Sequence, residues 1–592
     1  MRGVFGGAAA VGLIALFSSS AAAPRPATFS AEALDLVDPV RQARALCGRP
    51  EGANVLKRRL LTAMAAGGGL AGADADIALY PDLAEVRFRI ATKSEEASRY
   101  FNQGLMLSYG FNHAGAVRSF RQAQRLDPDC AMCWWGEAVA LGPNINAPMD
   151  DRDREAALDA LDRAMALREA ATPVERALIE AAARRYSSDP AADRQALDRA
   201  YAEAMLEVAA RFPDHAEVAV LAAEAAMDTT PWNYWETDRR TPVGLAGEAV
   251  RLIEGVLDRD PGHAQAAHLY IHLMENGDPA RAEAAADRLA TLASSAGHLV
   301  HMPAHIYMVR GRYADSIRVN VAAVRADEAW IRASDDRGLV RFGYYPHNVH
   351  FIVASAQMAG DMRTAIDEAA RLRGLLDPET SAQIGWVQMI DAAPYLAMAQ
   401  FASPEAILAM AEPDSRLAFA GAMRLYARAV AQARKGDGAA FDATLAQLAA
   451  LRTSDRFDDL TAQGVPALEL LALAEAAARG RRAFHERRYE AAVRHYRQAV
   501  VIEAGLPYTE PAYWPYPVSQ SLGAALLKAG RADEASEAFR QALIQAPDNG
   551  WALYGLAESE AAQGHALEAA AARRALDRAW LGDHTWLRLD RL

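Results

Sequence analysis

Several features are scarce in this chain, and their scarcity limits what the protein can be. Only three cysteines occur among 592 residues, so the fold cannot depend on a network of disulfides. No stretch of about twenty apolar residues follows the N-terminal region, so no transmembrane helix is expected there. The net charge is −13 and no basic stripe stands out, which argues against a nucleic-acid partner.

The familiar motifs of nucleotide and hydrolase sites are also missing. The chain has no Walker A sequence, no GxGxxG after a strand, no GxSxG and no HExxH. Runs of β-branched residues are few, whereas alanine is abundant and glycine and proline fall between segments. This composition predicts an all-α protein and leaves open whether it is an enzyme.

A regular pattern of small residues, one aromatic residue and a proline recurs along the chain. Its first copy consists of Gly104, Ala116, Phe120, Ala123 and Pro128. A second copy near the C-terminus consists of Gly523, Gly530, Ala535, Phe539, Ala542 and Pro547. Flanking units share the register through Gly480, Ala492, Tyr496 and Ala499 and through Gly564 and Ala569. The pattern resembles the tetratricopeptide repeat, a 34-residue helix-turn-helix unit.

That resemblance covers residues 95–580 and implies a right-handed superhelix of helical hairpins without a sharp domain boundary. Prolines mark the expected helix breaks. Pro303 is expected to start or kink a helix, and a further break is expected at Pro394. The predicted organisation has six segments: residues 1–23, 24–94, 95–260, 261–375, 376–462 and 463–592. In this order, the six segments are a signal peptide, an irregular helical part, N-terminal hairpins, histidine-rich hairpins, divergent hairpins and C-terminal repeats.

The N-terminus predicts export. Arg2 precedes a short apolar run at residues 3–17, and small residues at 18–23 offer a cleavage site. A secreted or periplasmic protein is expected, with a retained N-terminal anchor as the alternative.

Histidines concentrate between residues 263 and 360. Eight of the 14 in the chain lie there: His263, His268, His272, His298, His301, His305, His347 and His350. Three pairs within this group are three or four residues apart, which places both rings of a pair on one face of a helix.

The repeat register predicts where these histidines point. Helix starts near Ala264, Gly297 and Pro346 follow from the surrounding prolines and glycines. In the tetratricopeptide family, positions 2, 5, 9 and 12 of the first helix face the concave surface. The residues at those positions are His268, His272, Glu275, His298, His301, His305, Met308, His347 and His350. Such a donor set predicts a transition-metal site, copper or zinc first. An organic or anionic ligand and ordinary packing histidines are the alternatives.

Other candidate residues lie upstream. Cys130 and Cys133 form a CxxC that is open to three interpretations: a disulfide, a less favoured metal pair and buried thiols. His113, in a turn, is a further minor candidate for a metal ligand. Trp135, Asn144 and Asn146 are candidates for contacts with a bound ligand.

The strings CAMCWWGEA, GPNINAPM and HMPAHIYM narrow the resemblance to exported bacterial tetratricopeptide proteins, for which no activity is implied. Three functions therefore stay open: metal binding on the concave face, an enzyme acting on a small substrate, and a scaffold for a protein or peptide. Long loops at residues 141–153 and 228–242 are the expected lids of an enzyme.

Overall fold

Helices make up the ordered framework of the chain. The computed structural model describes residue 70, residues 76–80, 83, 84 and 86, and residues 88–292 and 295–592. These residues form no β-strand, only isolated bridges such as the one between Asn144 and Ala147. None of their helices is long and apolar enough to cross a membrane. The predicted signal segment and the first of the three cysteines, Cys47, lie outside the described residues.

The N-terminal hairpins contain eight helices. They are α1 (Glu95–Tyr109), α2 (His113–Leu126), α3 (Ala131–Ala140), α4 (Arg154–Leu167), α5 (Pro173–Ala182), α6 (Arg194–Arg211), α7 (Ala216–Met227) and α8 (Ala246–Arg259). Side-chain caps set several of the starts. The Ser94 hydroxyl accepts from the Ala97 N–H before α1, and Thr172 and Glu175 form a capping box at α5. The loop that separates α3 from α4 is the predicted insertion.

The central part begins at the predicted positions. Its helices are α9 (Ala264–Met274), α10 (Pro279–Leu289), α11 (Gly297–His301), α12 (Pro303–Val309), α13 (Tyr313–Ser334), α14 (Tyr345–Ala359) and α15 (Met362–Leu375). Starts at Ala264 and Gly297 match the prediction, and α14 starts one residue before Pro346. The helix starts on which the assignment of the inward-facing histidines depended are therefore confirmed to within one residue.

The remaining helices complete the solenoid. They are α16 (Pro378–Gln383), α17 (Gly385–Phe401), α18 (Pro404–Leu408), α19 (Ala418–Lys435), α20 (Gly438–Arg452), α21 (Asp458–Ala462), α22 (Ala467–His485), α23 (Tyr489–Ala504), α24 (Val518–Lys528), α25 (Ala532–Gln545), α26 (Gly550–Ala562) and α27 (Ala566–Ala579). Each helix packs chiefly on its neighbours in sequence, as in a helical-hairpin array. The all-α tetratricopeptide-like fold is thus confirmed, whereas the limits of the six segments stay predictions.

The repeat pattern has a simple packing cause. The Phe120 ring of α2 sits against Gly104 of α1 and Gly136 of α3, where an added Cβ would come within 2.8 and 2.4 Å of the ring. Phe539 is held in the same way by Gly523 and Gly555. Because real Cβ atoms do not approach a ring so closely, only glycine allows the helices to close around the aromatic side chain.

Proline has two different effects. Pro303 begins α12 as predicted, since a proline at the first helical position loses no backbone hydrogen bond. The predicted break at Pro394 is wrong, because this residue lies inside α17. Burial of α17 between its neighbours outweighs the local penalty of an interior proline.

The C-terminal repeats pack back onto the central hairpins. Trp551 on α26 donates its indole N–H to the Gln357 carbonyl of α14 at 2.8 Å. The Tyr313 hydroxyl donates to the Pro547 carbonyl at 2.9 Å. These contacts join residues almost two hundred or more positions apart, so the superhelix closes on itself and its C-terminal part covers the histidine-bearing helices.

Burial of Glu503 on α23 predicts a pH-dependent stability. Both carboxyl oxygens accept from the Val518 N–H, at 3.2 and 3.0 Å, and burial raises the pKa of Glu503 to about 8 despite that bond. The folded state therefore holds a proton that the unfolded chain releases near pH 4.3, and this contribution to stability is lost as the pH rises toward 8. We expect Glu503→Gln to be neutral at pH 5 and stabilising by roughly 1 to 3 kcal/mol at pH 9.

Urea denaturation at the two pH values measures this difference. Glu568→Gln, at an exposed position on α27, is the matched control and is expected to leave the midpoint unchanged at both pH values. An equal effect of Glu503→Gln at pH 5 and pH 9 would contradict the assignment.

Candidate metal centre

Three histidines from two hairpins meet at a first site. His268 and His272 lie one turn apart on α9, and His298 comes from α11. One nitrogen of each ring lies within 4.8 Å of one nitrogen of the others. All three side chains are buried, with at most 6% of their surface exposed. We call this group the first triad.

Three further histidines form a second site beside it. His301 ends α11, His305 lies on α12, and His347 comes from α14. Their ligand nitrogens also fall within 4.8 Å of one another. Met302, between α11 and α12, keeps helical φ and ψ of −51° and −37°, so the rings of His301 and His305 still face each other across the junction. We call this group the second triad.

The two triads are adjacent. Ring centroids of His272 and His305 are 6.0 Å apart, and those of His298 and His301 are 6.1 Å apart. Six of the predicted ligands therefore form one continuous cluster inside the bend of the solenoid. A seventh predicted ligand, Glu275, lies between the triads.

Hydrogen bonds orient four of the six rings in the same way. Nδ1 of His268 faces the Gln265 amide oxygen at 2.8 Å, and Nδ1 of His301 faces the Asn320 amide oxygen at 2.6 Å. Nδ1 of His272 and Nδ1 of His305 face the two oxygens of Glu275, at 3.0 and 2.6 Å. Since these partners are acceptors, each Nδ1 carries a proton, and in the neutral rings of His268, His272 and His301 the Nε2 atom keeps its lone pair.

The Nε2 atoms of these rings are directed at one another. Those of His301 and His305 lie 2.8 Å apart. Nε2 of His268 and of His272, and both nitrogens of His298, are buried without a hydrogen-bond partner among the described residues. Buried polar atoms are normally satisfied, so a group of orphaned lone pairs needs an explanation. Histidine metal ligands usually donate the N–H of one ring nitrogen to an acceptor and direct the other nitrogen at the metal, which is the arrangement of these rings.

Burial controls the protonation of the cluster. It lowers the pKa of His268, His298, His301 and His347 well below the ordinary value, and neighbouring imidazoles lower it further. Burial likewise lowers the pKa of His272 to about 3. Five of the six rings are thus neutral at pH 7, the form that binds metal.

His305 is the exception. Burial acts to lower its pKa, but the carboxyl groups of Glu510 and Glu275 outweigh burial and raise it to about 10. Burial raises the pKa of Glu510 itself to about 8. The raised pKa keeps His305 protonated at pH 7, at a position where a metal ion would supply the positive charge instead.

Glu510 is the functional residue that the sequence analysis missed. It lies in the loop between α23 and α24, and its Oε2 contacts Nδ1 of His305. Glu275, His305 and Glu510 form a third group whose ligand atoms lie within 4.8 Å. Nothing local marks this residue, because a loop glutamate has no periodicity. The aromatic-rich segment PAYWPYP, residues 511–517, follows it directly in the sequence.

Aromatic side chains enclose the cluster. Phe111 lies against His268 and His298, with centroids 4.8 and 5.0 Å apart. Phe351 lies against all three rings of the second triad, at 4.7 to 5.0 Å. Such walls exclude water and strengthen the electrostatic interactions inside.

One predicted lid loop reaches the cluster, and the other is hydrogen-bonded to it. Trp232 of the 228–242 loop meets the His272 ring at 5.0 Å, and it donates to the Asn146 amide oxygen at 3.2 Å. Asn146 belongs to the 141–153 loop and holds the two loops together. Tyr344, before α14, lies over His298 at 4.8 Å.

The remaining candidates make contacts within the fold and lie outside the triads. Asn144 accepts from the backbone N–H groups of Asn146 and Ala147, so it shapes its own loop. Nδ1 of His113 faces the Ala140 carbonyl, and its Nε2 faces the Asn144 amide nitrogen. With both nitrogens engaged, His113 is not free to bind a metal. Trp135 is only 1% exposed, so it offers no stacking surface, and it lines a separate cavity of about 30 Å³.

Four other predicted ligands lie outside the two triads. Cys130 and Cys133 form a disulfide at the start of α3, so the metal-pair interpretation of this CxxC is wrong and the disulfide interpretation holds. Met308 packs against apolar side chains of both large core clusters. His350 belongs to none of the three ligand groups among the described residues and lines a cavity beside the second triad.

Comparisons with known proteins identify no relative. No family model matches the chain, and no curated protein matches it. Among solved structures, the chain is similar to the human IFIT1 dimer with m7Gppp-AAAA at 11% identity and a TM-score of 0.27, covering 93% of this chain and 99% of that one. It is also similar to Naa15/Naa10 bound to HypK-THB at 11% identity and a TM-score of 0.19, covering 82% and 89%. At these scores the likenesses carry no functional argument, and the assignment of the fold rests on the packing of this chain's own helices.

Proposed function

We propose that this protein binds two transition-metal ions, copper or zinc, one at each histidine triad. The observation that carries the proposal is the common orientation of the rings. Nδ1 of His268, His272, His301 and His305 is bonded outward, and the Nε2 atoms are gathered inward, where those of His268 and His272 have no hydrogen-bond partner among the described residues. Neutral imidazole is a preferred ligand of zinc and copper. Three protein ligands leave a coordination position open for water or another molecule at each ion.

The chemistry of the donors selects among metals. Calcium and magnesium take oxygen ligands, which the triads themselves do not supply. Thiolate-dependent sites are disfavoured, since Cys130 and Cys133 are joined to each other. Glu275 supports one ring of each triad, which couples the two ions through a single carboxylate.

We also propose export from the cytoplasm, on the N-terminal sequence pattern alone.

An enzyme acting on a small substrate is the second candidate. The observation that favours it is the enclosure: two loops and several aromatic rings surround a pair of sites with open positions. A peptide partner on the concave face fits less well, because the C-terminal repeats and Glu510 already occupy that side of the histidine cluster. A protein partner elsewhere on the helical scaffold stays a prediction.

Metal analysis tests the proposal directly. Protein purified without a histidine tag is expected to contain, or to take up during titration, about two copper or zinc ions per chain with affinities of micromolar or tighter. Inductively coupled plasma mass spectrometry and competition with a chromophoric chelator measure content and affinity. His565→Ala, at an exposed position on the α26–α27 turn, is the control and is expected to keep both ions. A chain without saturable binding of either metal would contradict the proposal.

A further inference from the structure

A cavity of about 60 Å³ adjoins the second triad. It is lined by His347 and His350 of α14, by Trp386 and Met389 of α17, by Phe419 of α19 and by Glu510 with its neighbours in the 509–515 loop. Because about 10 to 15 Å³ of such space holds one water, this cavity takes about four to six waters or one small ring. It adjoins the second triad through His347, which lines the cavity and belongs to the triad.

The polar groups of this cavity lie at one end. His347 is a member of the second triad, and Glu510 contacts His305 of the same triad. Glu510 Oε1 and the Trp386 indole N–H belong to lining residues, and neither has a hydrogen-bond partner among the described residues. A buried carboxyl oxygen without a donor points to a ligand that brings one.

The opposite walls are apolar and aromatic. Trp386 and Phe419 supply rings, and Met389, Ile390 and Leu396 supply aliphatic and thioether surface. No lysine or arginine is among the lining residues, so no side chain lining the cavity would pair with an anionic head group beside the Glu510 carboxyl. A neutral ring that carries one hydroxyl group matches both ends of the cavity.

We propose that this cavity is a binding site for a small phenol, held with its hydroxyl group toward the second triad. The hydroxyl donates to Glu510 Oε1 and presents its oxygen to the open position of the metal ion at the triad. The ring lies among Trp386, Phe419 and Met389. The proposal deepens the metal-binding function and rests on it for the contact between the phenol oxygen and the ion.

Cobalt(II) spectroscopy tests the proposal with phenol itself as the probe. The visible bands of the cobalt-loaded protein are expected to shift on addition of phenol in a saturable way. Cyclohexanol, which keeps the hydroxyl but not the aromatic ring, is expected to bind at least tenfold more weakly. Toluene, which keeps the aromatic ring but lacks the hydroxyl group, is expected to leave the bands unchanged. Toluene or cyclohexanol acting as well as phenol would overturn the proposal.

A pair of tryptophan variants tests whether phenol binds in this cavity. Trp386→Leu is expected to lower phenol affinity about tenfold while leaving cobalt content unchanged, because the ring touches the ligand and not the ion. Trp134→Leu, at a partly exposed position on α3, is the matched control and is expected to bind phenol normally. Equal phenol affinity in the two variants would overturn the site. Should Trp386→Leu fold poorly, the comparison of phenol with cyclohexanol on the unmodified chain still decides.

Calorimetry on the metal-free protein separates this proposal from the metal-binding one. The cavity is formed by protein atoms, so phenol is expected to bind the metal-free chain more weakly but measurably. Phenol binding without cobalt uptake would contradict metal binding and leave the cavity assignment standing. Cobalt uptake without any response to phenol would overturn the phenol site alone, and failure of both measurements would overturn both.

Discussion

Alanine in place of His301 is expected to remove one of the two bound ions and leave the other. His301 supplies one of three nitrogens to the second triad, and its Nδ1 is already engaged with Asn320. Loss of one of three ligands lowers affinity for that ion by more than about 100-fold. His268→Ala is expected to give the complementary result, with the first triad emptied and the second retained.

Metal content and chelator competition on the two variants measure this outcome. Each is expected to hold about one ion per chain, and the double variant none. Loss of both ions from either single variant would show one shared site in place of two. His584→Ala, at an exposed position near the C-terminus, is the control and is expected to keep full content.

The second large effect is expected at Glu275. Its two oxygens accept from Nδ1 of His272 and Nδ1 of His305, so a single side chain orients one ring in each triad. Glu275→Gln places an amide donor against one of these N–H groups and leaves the other ring with a neutral acceptor. We expect both ions to bind about 10- to 100-fold more weakly, as is usual when the residue behind a histidine ligand is changed.

Paired titrations test the role of Glu275. A simultaneous loss at both sites distinguishes it from the triad histidines, each of which serves a single ion. Glu248→Gln, at an exposed position on α8, is expected to bind both ions normally. Weakening confined to one site would show that Glu275 supports only that triad. Unchanged affinity at both would contradict its role altogether.

Much of the fold was accessible from local patterns. Glycines spaced around Phe120 and Phe539 predicted hairpins because a helix pair can close on an aromatic ring only where no Cβ intervenes. Prolines and glycines predicted the starts of α9, α11 and α14 to within one residue. Pro394 was misjudged, since burial of α17 compensates for a local penalty that the sequence alone exposes.

The histidine site, too, was only partly predictable from local patterns. Helical phase predicted that His268, His272, His301 and His305 point inward, because residues four apart share a face. Helical phase predicted that His347 and His350 both point inward. It did not distinguish His347, which joins the second triad, from His350, which lines the cavity. These two rings are three residues apart on α14, and only the positions of the neighbouring helices decide which one reaches the triad.

The sequence by itself determined the helices, their register and the faces on which the histidines lie, because these depend on spacings of three or four residues. The tertiary structure alone decided that His298 completes the first triad, that Glu510 reaches His305 from a loop more than two hundred residues away, and that the C-terminal repeats close over the site. Local periodicity sets the direction of a side chain relative to its own helix. Contacts between distant segments depend on the packing of every hairpin that lies between them. No short stretch of sequence contains that information.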